Sequence, residues 1–155
     1  MTWNPKQALA DFATVAHLAG VTLVVGDICL ESLPAPHAPP TRPPAGTMAV
    51  YVFTHGLDVL KVGKVGPKSQ ARYTSQHYNP GSAQSTLAAS MIADAERMGL
   101  CEADIGEIGN WIRAKVDRVN ILLPAHLGVP VLTLLESFMQ CRLRPRYEGF
   151  KSQRG

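Results

Sequence analysis

The chain has 155 residues, of which 46% are hydrophobic and 17% are charged, so it is long enough for one moderate core and lacks the composition of a disordered protein. The net charge of +3 is modest, and no apolar run reaches the ~20 residues that a membrane-spanning helix needs. These values exclude a disordered chain and a helical membrane protein.

The first 25 residues are predicted to form a helix and a short strand. Asn4 is a good N-cap and Pro5 a good first helical residue, and Gly20 is expected to end the helix. The residues that fall on one apolar face of this helix are Ala8, Phe12, Val15 and Ala19. Residues 21–25 are β-prone and predict a strand.

A proline-rich stretch follows, with prolines at positions 34, 36, 39, 40, 43 and 44. Proline lacks a backbone donor and fixes φ, so residues 32–46 are predicted to be an extended linker with polyproline II character. The linker divides the chain into an N-terminal segment, residues 1–47, and a main domain, residues 48–155.

The main domain is predicted to alternate short strands with helices. The predicted strands are 49–53, 59–62 and 119–123, and the predicted helices are 85–99, 105–115 and 130–141, with Ser85 as the cap of the first. A hairpin-like loop with Gly56 joins the first two strands. The expected fold class is α+β, a small three-stranded antiparallel sheet flanked by helices, preceded by the N-terminal helix and the linker.

Basic residues are concentrated in the main domain, which has 13 basic and 9 acidic residues and a net charge of +4. They form two clusters in the sequence, Lys61, Lys64, Lys68 and Arg72 near the second strand and Arg142, Arg144, Arg146, Lys151 and Arg154 at the C-terminus. Such clusters either form a phosphate-binding face or are ordinary solvated side chains. We predict that Lys64, Lys68, Arg142, Arg144 and Arg146 bind nucleic acid.

Glycine and lysine near residue 63 superficially suggest a nucleotide-binding loop. The spacing of Gly63, Lys64, Gly66 and Lys68 fails the Walker pattern, and the chain has no G-x-G-x-x-G. A nucleotide-binding loop is therefore not the preferred interpretation of these residues.

Several residues in order resemble the GIY-YIG nuclease family. They are Ala49-Val50-Tyr51, Lys61-Val62-Gly63-Lys64, Arg72, Gln76-His77, Leu135-Glu136-Ser137 and Arg144-Pro145-Arg146-Tyr147. The last two blocks look particularly like the incision subunit of bacterial excision repair. The resemblance covers residues 49–149 and none of 1–47. The chain departs from the family at Lys61, which replaces a tyrosine, and at Glu148, which replaces an asparagine. Its separation of Arg72 from His77 is also one residue longer than in many relatives.

The resemblance implies a division of labour in phosphodiester hydrolysis. Glu136 is the expected ligand of Mg²⁺ or Mn²⁺, and Arg72 is expected to hold the non-bridging phosphate oxygens. Tyr51 is the expected general base, directly or through water, and a nearby cation such as Lys61 must then favour its phenolate. His77 is expected to relay a proton or contact phosphate.

Each candidate also has a purely structural interpretation. Tyr51 is then a core side chain, Lys61 a solvent-facing lysine and His77 a structural histidine, while Glu136 is paired with Arg72 or Arg142. Trp111 and Tyr78 either stack on bases or pack in the core, with core packing favoured for Trp111. Glu148 is either a second metal ligand or a tail carboxylate.

The function expected from these residues is a divalent-metal-dependent DNA endonuclease. The first alternative is a catalytically degenerate nucleic-acid-binding module, motivated by Lys61 and Glu148, and a remote one is an adaptor that acts through its prolines. Three cysteines without metal-type spacing and the lack of a secretory signal predict a reduced, cytoplasmic protein without a membrane anchor. The N-terminal segment is expected to dock on the nuclease-like part, to form a homodimer or to bind a partner protein, unless Met48 is the true start.

Overall fold

The computed structural model describes residues 3–24, 26–83 and 85–147. Its strands are β1 (Cys29–Leu33), β2 (Thr47–His55), β3 (Asp58–Val65) and β4 (Asp117–Pro124). Its helices are α1 (Pro5–Leu18), α2 (Gln70–Thr74), α3 (Leu87–Ala93), α4 (Ala95–Met98), α5 (Glu102–Gly106), α6 (Ile108–Lys115) and α7 (Val129–Leu143). None of the helices in these three ranges is long and apolar enough to cross a bilayer.

The strands form one antiparallel sheet in the order β1-β4-β2-β3, which confirms the α+β class. The prediction of three strands is wrong, because the N-terminal segment contributes β1, which pairs with β4 along its whole length. This edge strand is half-exposed and runs directly into Pro34, so its sequence resembles the linker more than a strand. The strand predicted over residues 21–25 is absent from residues 21–24, and Val25 lies outside the described residues.

The N-terminal helix is confirmed and lies against α7. The Asn4 side chain accepts a hydrogen bond from the Gln7 amide at 3.1 Å, so it caps the helix as predicted. The Phe12 and Phe138 rings are 5.6 Å apart in the core between the two helices. The predicted boundary between residues 47 and 48 therefore lies inside a continuous packing unit, and β2 itself begins at Thr47.

The proline-rich stretch is bonded to the sheet and to α6. The Ala35 amide donates to the Asp117 carboxylate at 2.8 Å, and the His37 amide donates to the Arg113 carbonyl at 2.9 Å. Residues 34–44 form neither helix nor strand, as the prolines predict. This extended stretch thus returns the chain from one edge of the sheet to β2 while remaining bound to the domain.

Two hydrophobic clusters lie on the two faces of the sheet because alternate strand residues point to opposite sides. One cluster joins α1 and α7 to β2 through Phe12, Val50 and Leu135. The other joins α2, α3 and α6 to the opposite face through Tyr51, Tyr73 and Met91. The sheet is therefore covered on both sides.

The predicted helical region between residues 85 and 115 is broken into short pieces. Thr86, not Ser85, caps α3, and its side chain accepts from the Ala89 amide at 3.0 Å. The helix is interrupted at Asp94, and α4 ends at Gly99, which has a left-handed φ of +65°. The predicted end at Gly99 is confirmed.

Candidate active site

A polar cleft of about 300 Å³ opens at β3, the edge strand opposite β1 in the sheet. Side chains from β2, β3, α2 and α7 meet there although they are far apart in the sequence. The residues that line it are Tyr51, Lys61, Val62, Gly63, Lys64, Arg72, Ser85, Thr133, Glu136, Ser137 and Gln140. Four residues proposed from the sequence, Tyr51, Lys61, Arg72 and Glu136, thus share one cleft with the predicted nucleic-acid contact Lys64.

Tyr51 reaches the cleft across its paired residue on β3, Gly63. A Cβ at residue 63 would lie 2.5 Å from the Tyr51 ring carbon that carries the hydroxyl. Since real Cβ atoms do not approach other atoms that closely, the glycine leaves the space that the phenol fills. The β2–β3 hairpin therefore sets the position of the hydroxyl through the register of the two strands.

The phenol of Tyr51 is almost completely buried, with 1% of its surface exposed. Burial raises its pKa above the usual value, because it disfavours the phenolate, and the Arg72 guanidinium opposes that rise through its charge and a hydrogen bond. The charge of Arg118 also lowers this pKa, and the Glu136 carboxylate raises it further. Two arginines thus favour the phenolate, but burial outweighs them, and the raised pKa opposes the predicted phenolate.

Lys61 is buried, with 3% of its surface exposed, so the solvent-facing alternative for this residue is wrong. It pairs with Phe53 across the hairpin and donates a hydrogen bond from Nζ to the Ser85 hydroxyl at 3.1 Å. The charge of Lys61 lowers the pKa of His77. Lys61 and its hydrogen-bond partner Ser85 both line the cleft.

Arg72 lies on the five-residue helix α2, between the cleft and a second groove at the end of β3. The second groove is lined by Lys64, Lys68, Ser69 and Gln76 among others, and it shares Lys64 and Arg72 with the cleft. A nucleic-acid backbone that passes the cleft on this side would meet three cationic side chains in succession. Lys64 and Lys68, which are predicted to bind nucleic acid, therefore lie on a surface that is continuous with the candidate site.

The Glu136 carboxylate accepts a hydrogen bond and ion pair from Lys64 Nζ at 2.6 Å. The structural alternative named Arg72 or Arg142 as the partner of Glu136, and the partner in the structure is Lys64 instead. The Glu136 side chain is 17% exposed and the Lys64 side chain 35% exposed, so both partners of the ion pair remain accessible to solvent.

The donors around Glu136 fit a divalent cation that takes few protein ligands. Within residues 3–24, 26–83 and 85–147, no three His, Cys, Asp or Glu side chains cluster as metal ligands. Mg²⁺ commonly binds through one or two carboxylates, keeps several waters and takes the remaining oxygens from phosphate. The volume of the cleft and the hydroxyl and amide groups of Thr133, Ser137 and Gln140 are compatible with such a hydrated ion.

His77 lies beneath Tyr51 and does not line the cleft. Its Nδ1 accepts a hydrogen bond from the Leu87 amide at 3.2 Å, at the start of α3, and its ring centroid is 4.5 Å from that of Tyr51. Burial lowers the pKa of this imidazole well below its usual value, and Lys61 adds to the effect. The geometry favours the structural interpretation of His77 over contact with phosphate.

The C-terminal arginines line a different cleft, of about 520 Å³, beside Trp3. Arg142 pairs with Asp11, and Arg146 pairs with Asp58 at 2.8 Å. Arg144 ends α7 in a left-handed conformation with φ of +48°. The structure thus separates these arginines from Lys64 and Lys68. The predicted contributions of Glu148, Lys151 and Arg154 fall outside the described residues.

Two features of the site were not predicted from the sequence: a polar stripe on α7 and the buried polar residues Arg118 and Asn120 on β4. Thr133, Ser137 and Gln140 recur at helical spacing with Glu136, and that spacing on an otherwise apolar helix is a readable signal. Arg118 and Asn120, which are both fully buried, alternate on β4 with apolar residues. Two polar residues on a strand face that should be apolar are an equivalent signal.

The base-stacking alternatives are also placed by the structure. Tyr78 is buried, and its hydroxyl is 2.8 Å from His37 Nε2. Trp111 is partly buried against the same cluster and lies 5.0 Å from the His55 ring. Core packing therefore describes both aromatic residues.

Comparison with known proteins gives no relative from which a function can be transferred. No protein-family model, curated protein or solved structure matches the chain.

Proposed function

We propose that this protein is a divalent-metal-dependent endonuclease that hydrolyses DNA phosphodiester bonds, with a GIY-YIG-like site at the β3 edge. The observation that carries the proposal is the convergence of Tyr51, Arg72 and Glu136 in one polar cleft. These residues come from three elements and span most of the main domain.

The chemistry requires a water that loses a proton, a sink for the negative charge on phosphorus and a leaving 3′ oxygen that gains a proton. Arg72 offers two donors to the non-bridging oxygens and is permanently charged. Glu136 would hold Mg²⁺ or Mn²⁺, which supplies charge neutralisation at the phosphate and a more acidic water. By resemblance, the products carry a 5′-phosphate and a 3′-hydroxyl.

Tyr51 starts the reaction as a neutral phenol, since burial raises its pKa. A neutral hydroxyl orients a water by hydrogen bonding, and it accepts the water's proton only as it passes its own proton to solvent in the cleft. Solvent in turn protonates the leaving 3′ oxygen, so the protons balance. The Arg72 guanidinium supports that loss, because its positive charge favours the phenolate. The proposal therefore gives Arg72 a part in the tuning of Tyr51, beside the part expected of Lys61.

A nucleic-acid-binding module without turnover is the second candidate, and the Lys64–Glu136 ion pair favours it. An ammonium group 2.6 Å from the carboxylate competes with a cation for the same oxygen. The raised pKa of Tyr51 points the same way, because a phenol that keeps its proton is a poor general base. Both candidates predict DNA binding at the cleft, and only the first predicts cleavage.

The deciding experiment is cleavage of supercoiled plasmid with Mg²⁺ or Mn²⁺, beside Tyr51→Phe and Glu136→Gln. We expect nicking or linearisation that needs the metal and falls by about 100-fold or more in each variant, the scale of a lost proton-transfer or charge-stabilising group. The Glu136→Gln change keeps the size of the side chain and an acceptor for Lys64. Retained plasmid binding without cleavage by the unaltered protein supports the second candidate instead.

Two matched variants control for damage to the fold. Tyr147→Phe removes a phenol hydroxyl that donates to Asp94 at 3.0 Å, in the same hydrophobic cluster but outside the cleft. Glu102→Gln removes an exposed carboxylate at the start of α5. Both should cleave like the unaltered protein. Equal loss in Tyr147→Phe and Tyr51→Phe would mean that the loss reports stability.

A further inference from the structure

Helix α2, which carries Arg72, is too short to be stable by itself. A helix of five residues lacks enough internal hydrogen bonds to offset the cost of nucleation, so contacts with the rest of the protein must fix it. Tyr73, the residue after Arg72, is fully buried and provides two of those contacts. One is made by its phenol and the other by its backbone carbonyl.

Both contacts of Tyr73 lead to the strands behind the cleft. Its hydroxyl donates to Glu31 Oε2 on β1 at 2.5 Å. Its carbonyl accepts from a terminal guanidinium nitrogen of Arg118 on β4 at 2.7 Å. The helix is therefore held at one point by a carboxylate and at another by a cation.

Asn120 joins the two holding groups to each other. Its side-chain oxygen accepts from Arg118 Nε at 2.8 Å, and its amide nitrogen donates to Glu31 Oε2 at 2.6 Å. Glu31 and Asn120 are paired across β1 and β4, and Asn120 is paired with Tyr51 across β4 and β2. One row of side chains thus runs from the N-terminal edge strand to the phenol at the cleft.

Arg118 is fully buried, and three aromatic rings surround its guanidinium. Its central carbon lies 5.8 Å from the centroid of the Tyr51 ring, 5.1 Å from that of Phe53 and 5.2 Å from that of Tyr73. A buried guanidinium without a counter-charge is destabilising. Among the described residues, the Glu31 carboxylate is linked to Arg118 through the side chain of Asn120. Arg118 also donates to the Tyr78 hydroxyl at 3.3 Å, and the link through Asn120 connects it to the Glu31 carboxylate.

We propose that Glu31 and Arg118 are positioning residues, which orient Arg72 and Tyr51 toward the cleft through Tyr73 and Asn120. The expected effect on turnover rests on the proposed function, whereas the expected effect on the position of Arg72 does not. It makes the N-terminal segment part of the working unit, since Glu31 belongs to β1.

The test compares Glu31→Ala with Glu31→Gln in the full chain. Glutamine keeps an oxygen that accepts from Tyr73 and Asn120 but removes the negative charge near Arg118. We expect both variants to unfold at lower temperature. Turnover should fall by about 10- to 100-fold in Glu31→Ala alone, the scale expected when a catalytic group is misplaced by ~1 Å, with KM changed less than about twofold. Near-normal turnover in Glu31→Gln is the expected rescue.

A second readout does not depend on cleavage. The NMR signal of the Arg72 Nε–Hε group, assigned by its loss in Arg72→Lys, should shift in Glu31→Ala and stay in place in Glu31→Gln and in the exposed control Glu102→Ala. An unchanged Arg72 signal in Glu31→Ala overturns the proposal, as does turnover that falls equally in both Glu31 variants. If the unaltered protein does not cleave DNA, the proposed function fails, and the Arg72 signal alone decides this inference.

Discussion

The hydroxyl of Tyr51 occupies the space that a side chain at Gly63 would need, since a Cβ there would lie 2.5 Å from the ring carbon bearing the hydroxyl. Gly63→Ala must therefore displace either the phenol or β3. We expect plasmid cleavage to fall by about 100-fold or more, because ~1 Å of displacement at a reacting group has that effect. The measurement is the initial rate of nicking at saturating metal.

Gly106→Ala is the matched control for that variant. A Cβ at Gly106 meets no atom within 4 Å, and its backbone does not adopt a positive φ. The control should cleave normally and should not lower the unfolding temperature. Normal cleavage by Gly63→Ala would show that the position of Tyr51 does not matter for the reaction.

The Lys64–Glu136 ion pair predicts competition between lysine and metal. Replacing Lys64 with methionine frees the carboxylate, and a partly exposed pair of this kind contributes about 0.2–1 kcal/mol. Mn²⁺ should therefore bind Lys64→Met about 1.5- to 5-fold more tightly, as measured by calorimetry without DNA. Lys68→Met, which removes a neighbouring charge on the same groove, should change the affinity less. Weaker Mn²⁺ binding by Lys64→Met would place the ion elsewhere.

The hairpin could be predicted from the sequence because its signals are local. Two β-prone runs, residues 49–53 and 59–62, and the glycine turn at Gly56 all lie within fourteen consecutive residues, 49–62, and β2 and β3 form there as expected. The N-cap at Asn4 is equally local and is confirmed. In contrast, β1 has two exposed and three half-buried residues beside prolines, and only its pairing with β4 identifies it as a strand.

The charge partners in the site could not be predicted because they depend on tertiary packing. Lys64 and Glu136 are 72 positions apart and meet where α7 passes β3. The Glu31–Asn120 contact spans 89 positions, across a boundary that the prolines suggested. No periodicity links such residues, so sequence reasoning proposed Glu136 with the wrong partner and omitted Glu31.

Salt dependence should separate the two basic clusters. Lys68 lines the groove next to the cleft, whereas Arg142 is already paired with Asp11 in a different cleft. Loss of one phosphate contact lowers the slope of log affinity against log salt by about one. We expect that change for Lys68→Ala and a smaller one for Arg142→Ala, measured by fluorescence anisotropy with a labelled duplex. A larger change for Arg142→Ala would move the nucleic acid to the C-terminal cleft.

His77 predicts a loss of stability in mild acid. Burial, and then Lys61, lower the pKa of its imidazole, so between pH ~6.5 and that lower pKa the unfolded chain binds a proton that the folded chain does not. The free energy of unfolding therefore falls as pH falls below ~6.5, by up to about 1.4 kcal/mol per pH unit for this group.

Replacing His77 with glutamine should lower stability at pH 7.5, because the acceptor for the Leu87 amide is disturbed, but should reduce the slope between pH 6.5 and 5. The measurement is urea unfolding at several pH values, with the exposed His17→Gln as the control that keeps the slope. An unchanged slope in His77→Gln would mean that the imidazole takes up a proton as readily in the folded protein as in the unfolded chain. That result would contradict the lowered pKa that burial gives His77.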